Sequence, residues 1–161
     1  MKIALDTYYT DDEAVTCGLE FKEWTDKAPF HVYRIRTKHN FGPYIPGEFY
    51  KRELPCLQSL LDAIDLTPID TIVLDSYLDI GGDGLGVRMK ALYPDFEYVG
   101  VAKSKFQGAK ACEVLRGESK NPLYVQSFGM TNEMAGDLVK NMYGKYRIPF
   151  LLKILDKETK K

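Results

Sequence analysis

Short apolar runs alternate with polar turns over the first third of the chain. Ile3 to Leu5 predicts a buried strand, Ala14 to Phe21 predicts a second, and Phe30 to Ile35 predicts a third. In the second run every other residue is apolar, and in the third Arg34 and Arg36 fall on the opposite face from the apolar residues. Because short polar connections separate these three runs, we expect an antiparallel meander.

From Glu48 the spacing of apolar residues becomes helical. The apolar positions recur every three or four residues at Tyr50, Leu54, Leu57, Leu61 and Ile64. Pro55 interrupts this pattern, so either one helix is kinked there or a new helix begins near Leu54.

Strand and helix patterns alternate over the rest of the chain. Strands are predicted at 69–75 and 98–102, a hairpin at 110–115 and 123–127, and helices at 85–93, 131–143 and after Pro149. The helix at 131–143 is expected to turn five apolar residues inward, namely Met134, Ala135, Leu138, Val139 and Met142. This order predicts an α/β protein with a mixed sheet: three antiparallel strands followed by alternating helices and strands.

Composition narrows the class of protein. The 161 residues are 45% hydrophobic and carry a formal net charge of -1, which fits one domain over residues 1–161 and excludes a polybasic nucleic-acid binder. The odd, widely spaced Cys17, Cys56 and Cys112 argue against a disulfide framework or a zinc site. The chain starts directly in a strand and has no run near the ~18 apolar residues of a membrane span, so we expect a reduced, cytoplasmic protein, monomeric by default.

Two acids stand out because of where they lie. Asp6 interrupts the first apolar strand, and Asp75 ends the strand at 69–75. If these strands are neighbours, two such close carboxylates cannot both ionise without a cation, and oxygen ligands favour Mg²⁺ or Mn²⁺. Glu53 lies beside the apolar stripe of the first helix, where it could join them. Alternatively, the two aspartates are turn or cap residues and Glu53 belongs to a solvated helix face.

Two loops carry further candidates. Tyr44 lies between Pro43 and Pro46 on a stiff, extended segment, where it either stacks on a partner or covers the core. Lys103 leaves the strand at 98–102, where it either contacts a phosphate or is an ordinary surface lysine.

Three segments resemble the endonuclease V family. Residues 43–47, followed by Arg52 and Glu53, look like its wedge motif and the acid that follows. Gly100 to Ser104 looks like its second hallmark, and Arg147 to Pro149 is similar to its C-terminal segment. The resemblance runs from Asp6 to Pro149 and implies a ribonuclease H-like fold.

The resemblance also implies residue roles. Asp6, Glu53 and Asp75 would be metal ligands for Mg²⁺ or Mn²⁺, and Lys103 would be a cation of the catalytic site. The implied activity is hydrolysis of a phosphodiester near deoxyinosine in DNA or inosine in RNA, as in DNA repair. Contacts to the nucleic acid would come from the wedge and from the second hallmark, namely Tyr44, Pro43, Ile45, Pro46 and Ser104.

The sequence departs from the family pattern at several places. Ser76 follows Asp75 where the family has glycine, and the family's His-Pro-Arg is absent from the loop beyond. The segment 126–129 contains no histidine where the family's catalytic one is expected. That member of the active site is therefore either missing or replaced by an acid such as Glu133. We also expect the family's N-terminal helical extension to be missing. Two hypotheses follow: a metal-dependent endonuclease, or a catalytically impaired nucleic-acid-binding protein.

Overall fold

The computed structural model describes residues 1–38 and 50–161. These residues form one seven-stranded sheet and four helices. The strands are β1 (Lys2–Tyr9), β2 (Glu13–Phe21), β3 (His31–Lys38), β4 (Thr71–Leu74), β5 (Glu97–Ala102), β6 (Cys112–Val114) and β7 (Leu123–Phe128). The helices are α1 (Tyr50–Ala63), α2 (Leu85–Leu92), α3 (Asn132–Lys140) and α4 (Phe150–Thr159).

The sheet is mixed, in the order β3-β2-β1-β4-β5-β7-β6. β1, β2 and β3 form the expected antiparallel meander, and β4 and β5 then run parallel to β1. β7 and β6 complete the sheet as the expected antiparallel hairpin. Because β1, β4 and β5 are parallel neighbours, their carboxyl ends meet at one edge of the sheet.

Helices cover both faces of the sheet. α1 and α2 pack on one face, where their leucines meet Ile3 and Leu5 of β1. α3 and α4 pack on the other face, where Leu151, Leu152 and Leu155 meet the side of the sheet that carries Ala4. Since side chains alternate along a strand, Asp6 follows Ala4 onto the face covered by α4.

One helix runs through Pro55 within the described residues, so of the two alternatives the single helix is correct and no new helix begins near Leu54. The proline is exposed, while Cys56, Leu57 and the two leucines that follow are buried against the sheet. Apolar packing of this stripe holds the helix together despite the missing N–H of the proline. At 14 residues α1 is the longest described helix, and no helix in 1–38 or 50–161 is long and apolar enough to span a membrane.

The expected inward position of Met134 is wrong, because its side chain is 58% exposed. The helix begins at Asn132, and the hydroxyl of Thr131 caps it by accepting a hydrogen bond from the N–H of Met134 at 3.1 Å. Met134 therefore lies in the first turn, and Ala135, Gly136 and Val139 are the buried positions of α3.

Candidate active site

Asp6 and Asp75 lie side by side on neighbouring parallel strands. Leu5 of β1 pairs with Leu74 of β4. Asp6 is the next residue of β1, and Asp75 is the first residue after β4. Neighbouring strands are about 4.8 Å apart, so the two backbones hold the carboxylates close together. Ala4 and Val73 both belong to the core under α3 and α4, which places both acids on that face.

Lys103 supplies a cation at this edge of the sheet. It follows the last residue of β5, and its Nζ lies 3.3 Å from Oδ2 of Asp75. The lysine side chain is 44% exposed and the aspartate side chain 18% exposed, so the pair is open to solvent on one side. Arg147 holds the backbone of Lys103 in place, because its Nη2 donates to the carbonyl of Lys103 at 2.5 Å.

Glu53 approaches the two aspartates from α1 on the opposite face. The pKa of its carboxyl is raised to about 8, chiefly by burial and then by the charges of Asp6 and Asp75. Burial likewise raises the pKa of Asp6 to about 7, with Asp75 as the next cause. Burial also raises the pKa of Asp75, although Lys103 opposes the shift. Three acids from three separate elements therefore sense one another's charge.

A fourth acid, Asp156, was missed by the sequence reasoning. It lies on α4, and its charge raises the pKa of both Asp6 and Asp75. Its carboxylate also accepts hydrogen bonds from Lys160 at 3.0 and 3.1 Å. The available signal was its spacing, because Leu152, Asp156 and Thr159 recur at i, i+4 and i+7, which puts the acid on the buried stripe of the helix.

The donor chemistry of this cluster fits a hard divalent cation. Burial and the charges of neighbouring acids disfavour the ionised form of these carboxylates, and a cation bound between the carboxylates offsets both effects. As the side chains stand, however, no three His, Cys, Asp or Glu residues within 1–38 and 50–161 are arranged to hold a metal ion. Electrostatic interactions between carboxylates act over distances longer than a metal–oxygen bond. The acids can therefore shift one another's pKa without being close enough to share one metal ion.

The other predicted site residues divide into two groups. Ser104 is exposed beside Lys103, and its carbonyl accepts a hydrogen bond from the hydroxyl of Tyr77 at 2.7 Å. The nucleic-acid contacts predicted for the first loop lie outside the described residues, namely Pro43, Tyr44, Ile45 and Pro46.

The structure does not bring Glu133 or the segment 126–129 to the acids. Glu133 is exposed on α3, where its charge raises the pKa of Cys112. Phe128 pairs with Tyr98 at the start of β5, away from the strand ends that carry Asp75, and its ring packs against that of Tyr98. Among the described residues, Asp156 is the additional acid whose charge acts on Asp6 and Asp75. Glu133 as the substitute for a missing histidine stays a prediction.

The acids of the glycine-rich loop after β4 are engaged within the loop. Asp83 forms a two-pronged ion pair with Arg88, at 2.9 Å to each of its oxygens. Asp79 accepts a hydrogen bond from the N–H of Gly82 at 2.7 Å. Both acids therefore stabilise the conformation of the loop, and their hydrogen bonds do not involve the cluster of Asp6, Glu53 and Asp75.

Comparison with known proteins agrees with this arrangement. No protein-family model matches the chain. Endonuclease V of Rhodospirillum centenum is 30% identical over a region that covers 77% of this chain and 62% of the relative. The chain is a relative of endonuclease V. It spans about three fifths of the length of that curated endonuclease V, and the resemblance seen in the sequence motifs is confirmed.

Solved endonuclease V structures share the fold. The Ciona intestinalis protein, in complex with a 24mer DNA containing an inosine, has a TM-score of 0.78 at 19% identity, covering 99% of this chain and 83% of that one. The catalytic domain of human endonuclease V has a TM-score of 0.74 at 20% identity, covering 99% and 80%. The expected ribonuclease H-like fold, with its mixed sheet, is confirmed.

Proposed function

We propose that this chain is a metal-dependent endonuclease that hydrolyses phosphodiester bonds in nucleic acid. The observation that carries the proposal is the placing of Asp6, Glu53 and Asp75 on three separate elements. Beyond the effect of burial, Asp75 raises the pKa of Asp6, and both aspartates raise the pKa of Glu53. Such a cluster of acids destabilises a protein through mutual repulsion, and a divalent cation bound by the acids relieves that repulsion. Clusters of this kind are therefore more common at functional sites. The relationship to endonuclease V supports the same activity.

Asp6, Glu53 and Asp75 would hold Mg²⁺ or Mn²⁺. When bound, the metal supplies polarisation of the phosphoryl oxygen and a lowered pKa of the attacking water. Because the Asp75 side chain is 18% exposed, a metal would have access to it from solvent.

Lys103 and Asp156 assist the three acids. The ammonium of Lys103 is positioned to hold a substrate phosphate, with Arg147 fixing its backbone. Asp156 places a further carboxylate next to Asp6 and Asp75, where it can orient water or exchange a proton.

The substrate we propose is a strand with an extruded base, inosine or another damaged base. The Ciona relative is a complex with inosine-containing DNA, and Tyr44 between its prolines suits stacking in the gap left by such a base. Ser76 supplies a hydroxymethyl group next to Asp75 where the family has hydrogen, so we propose an altered preference among bases, with repair of nucleic acid as the role.

The direct test is cleavage of labelled DNA and RNA strands, each with and without one inosine, in Mn²⁺ and in Mg²⁺. We expect metal-dependent cleavage that EDTA stops and that Asp75→Asn lowers by at least about 10²-fold, since a ligand of the metal is lost. The exposed Asp95, in the turn between α2 and β5, provides the charge-matched control Asp95→Asn. Equal activity of Asp75→Asn and wild type would remove the basis of the proposal.

The second candidate is a nucleic-acid-binding protein that has lost efficient chemistry. The observation that favours it is the absence, among residues 1–38 and 50–161, of a closed set of three metal-ligating side chains. The two candidates differ in one measurement: a binder retains affinity for an inosine-containing strand in EDTA but shows no cleavage of it with either metal.

A further inference from the structure

A groove of about 700 Å³ lies beside the start of α4, and none of the four acids of the cluster lines it. We call it the Tyr146 groove; it is lined by Glu118, Ser119, Lys145, Tyr146, Arg147 and Lys153. Three of these residues are cationic and one is acidic. The groove therefore carries an excess of positive charge on a chain whose formal net charge is -1.

The aromatic ring in this groove is unusually accessible. Tyr146 is 59% exposed, and the Nζ atoms of Lys145 and Lys153 lie 5.5 and 4.4 Å from the centroid of its ring. An exposed aromatic ring flanked by flexible cations is the combination that proteins use to bind single strands, because a base stacks on the ring while the cations contact phosphates.

Arg116 fixes the backbone that presents this ring. Its guanidinium is buried, with 4% of the residue exposed, and it donates to the carbonyls of Tyr146 at 2.6 Å and Gly144 at 2.9 Å. It also donates to the carbonyls of Met142 at 2.6 Å and Lys140 at 3.3 Å. The segment that carries Tyr146 is thereby ordered before any ligand binds, which lowers the entropy cost of binding.

The groove adjoins the candidate active site. Arg147 lines the groove, and its Nη2 donates to the carbonyl of Lys103 at 2.5 Å. Lys103 in turn lies 3.3 Å from Asp75. One short path of contacts therefore links Tyr146 to the carboxylates, and a strand in the groove would reach the acids within a few nucleotides.

We propose that the Tyr146 groove binds an unpaired stretch of nucleic acid next to the bond to be cut. One base stacks on the ring of Tyr146, while Lys145 and Lys153 leave the ring for neighbouring phosphates. The choice of nucleic acid as the ligand rests on the proposed function. The groove would add a second contact for the strand, separated from Asp75 by Lys103 and Arg147.

The test is binding of labelled oligothymidylate and oligouridylate, each about 12 nucleotides long, by fluorescence anisotropy in EDTA. We expect Tyr146→Ala to weaken binding by about 5- to 150-fold, while Tyr146→Phe keeps the stacking face and stays near wild type. Lys145→Gln and Lys153→Gln should each reduce the slope of log affinity against log salt by about 0.7. The two strands distinguish DNA from RNA as the ligand.

The chain offers a matched control pair among residues that do not line the groove. Phe30 is also 59% exposed, and the Nζ of Lys22 lies 4.8 Å from the centroid of its ring. Phe30→Ala and Lys22→Gln should leave affinity and salt slope unchanged. Thermal unfolding of every variant separates loss of binding from loss of folding, and Tyr146→Phe and Lys153→Gln keep the test valid if Tyr146→Ala unfolds.

Two results would overturn the inference: unchanged affinity in Tyr146→Ala, or an equal loss in Phe30→Ala. The cleavage assay keeps this outcome apart from that of the proposed function. If wild type binds single strands through Tyr146 but cleaves none, the groove stands and the nuclease proposal fails. If wild type cleaves and Tyr146→Ala binds as tightly as wild type, the nuclease proposal stands and the groove fails.

Discussion

Asp6 and Asp75 occupy matching positions on parallel neighbouring strands, because Leu5 and Leu74 are paired and each acid is the next residue. The pairing of β1 with β4 therefore holds the two carboxylates near each other. With burial and the nearby charge of the partner acids, the pKa of Asp6 rises to about 7 and that of Glu53 to about 8.

The first prediction is that the metal-free protein loses stability as pH rises from about 4 to about 8. A carboxyl whose pKa is higher in the folded than in the unfolded state stabilises the fold below its unfolded pKa. That contribution is lost as pH rises through the folded values of about 7 and about 8. Each unit of pKa difference is worth roughly 1.4 kcal/mol in the free energy of unfolding.

Urea unfolding in EDTA across this pH range measures the effect. Asp6→Asn and Glu53→Gln should each flatten the dependence, because an amide does not titrate. Asp95→Asn, at an exposed acid, should leave the curve parallel to that of wild type. Curves for Asp6→Asn and wild type that run parallel throughout would contradict the prediction.

The sequence predicted the sheet and its acids for a clear physical reason. Strand periodicity is local, so the meander and the strand before Asp75 could be identified, and parallel neighbours necessarily meet at their carboxyl ends. Asp156 could not be assigned in this way, since its role depends on how α4 crosses the sheet. The position of Phe128 depended likewise on the register between β5 and β7, which tertiary packing decides.

The second prediction concerns Gln126, which ties the glycine-rich loop to the sheet. The residue is only 6% exposed, and its Oε1 accepts from the N–H groups of Leu78 at 2.8 Å and Asp79 at 3.0 Å. Its Nε2 donates to the carbonyls of Asp79 at 2.9 Å and Lys110 at 2.7 Å. Gln126→Leu would leave these backbone groups without their hydrogen-bond partner, so we expect a loss of about 2 to 4 kcal/mol in the free energy of unfolding.

Chemical denaturation of Gln126→Leu against wild type measures this loss. The control is Gln107→Leu, at an exposed position in the loop after β5, which should change stability by no more than about 0.5 kcal/mol. Similar midpoints for the two variants would mean that water forms the hydrogen bonds that the Gln126 side chain makes to these backbone groups.

The third prediction concerns the ion pair between Lys103 and Asp75. Lys103 opposes the rise that burial causes in the pKa of Asp75, so Lys103→Met should raise that pKa further. Carbon NMR titration of the aspartate carboxyls gives the value directly. Lys105→Met removes an exposed charge two residues away and should leave Asp75 unchanged; the same shift in both variants would show a general charge effect.

The last prediction separates Asp156 from Glu133. Asp156 raises the pKa of Asp6 and Asp75, whereas Glu133 acts on Cys112. We therefore expect Asp156→Asn to lower the pKa of both aspartates and to reduce Mn²⁺-dependent cleavage by about 10²-fold, the smaller end of what a proton-transferring group contributes.

Glu133→Gln, which removes the same charge from α3, should leave cleavage at the wild-type rate. Asp156→His keeps a group that exchanges a proton near neutral pH and should retain more activity than Asp156→Asn. Phe128→His should restore nothing, because Phe128 packs against Tyr98 at the other end of β5. A drop in rate for Glu133→Gln that matches the one for Asp156→Asn would mean that the fourth acid has been assigned to the wrong helix.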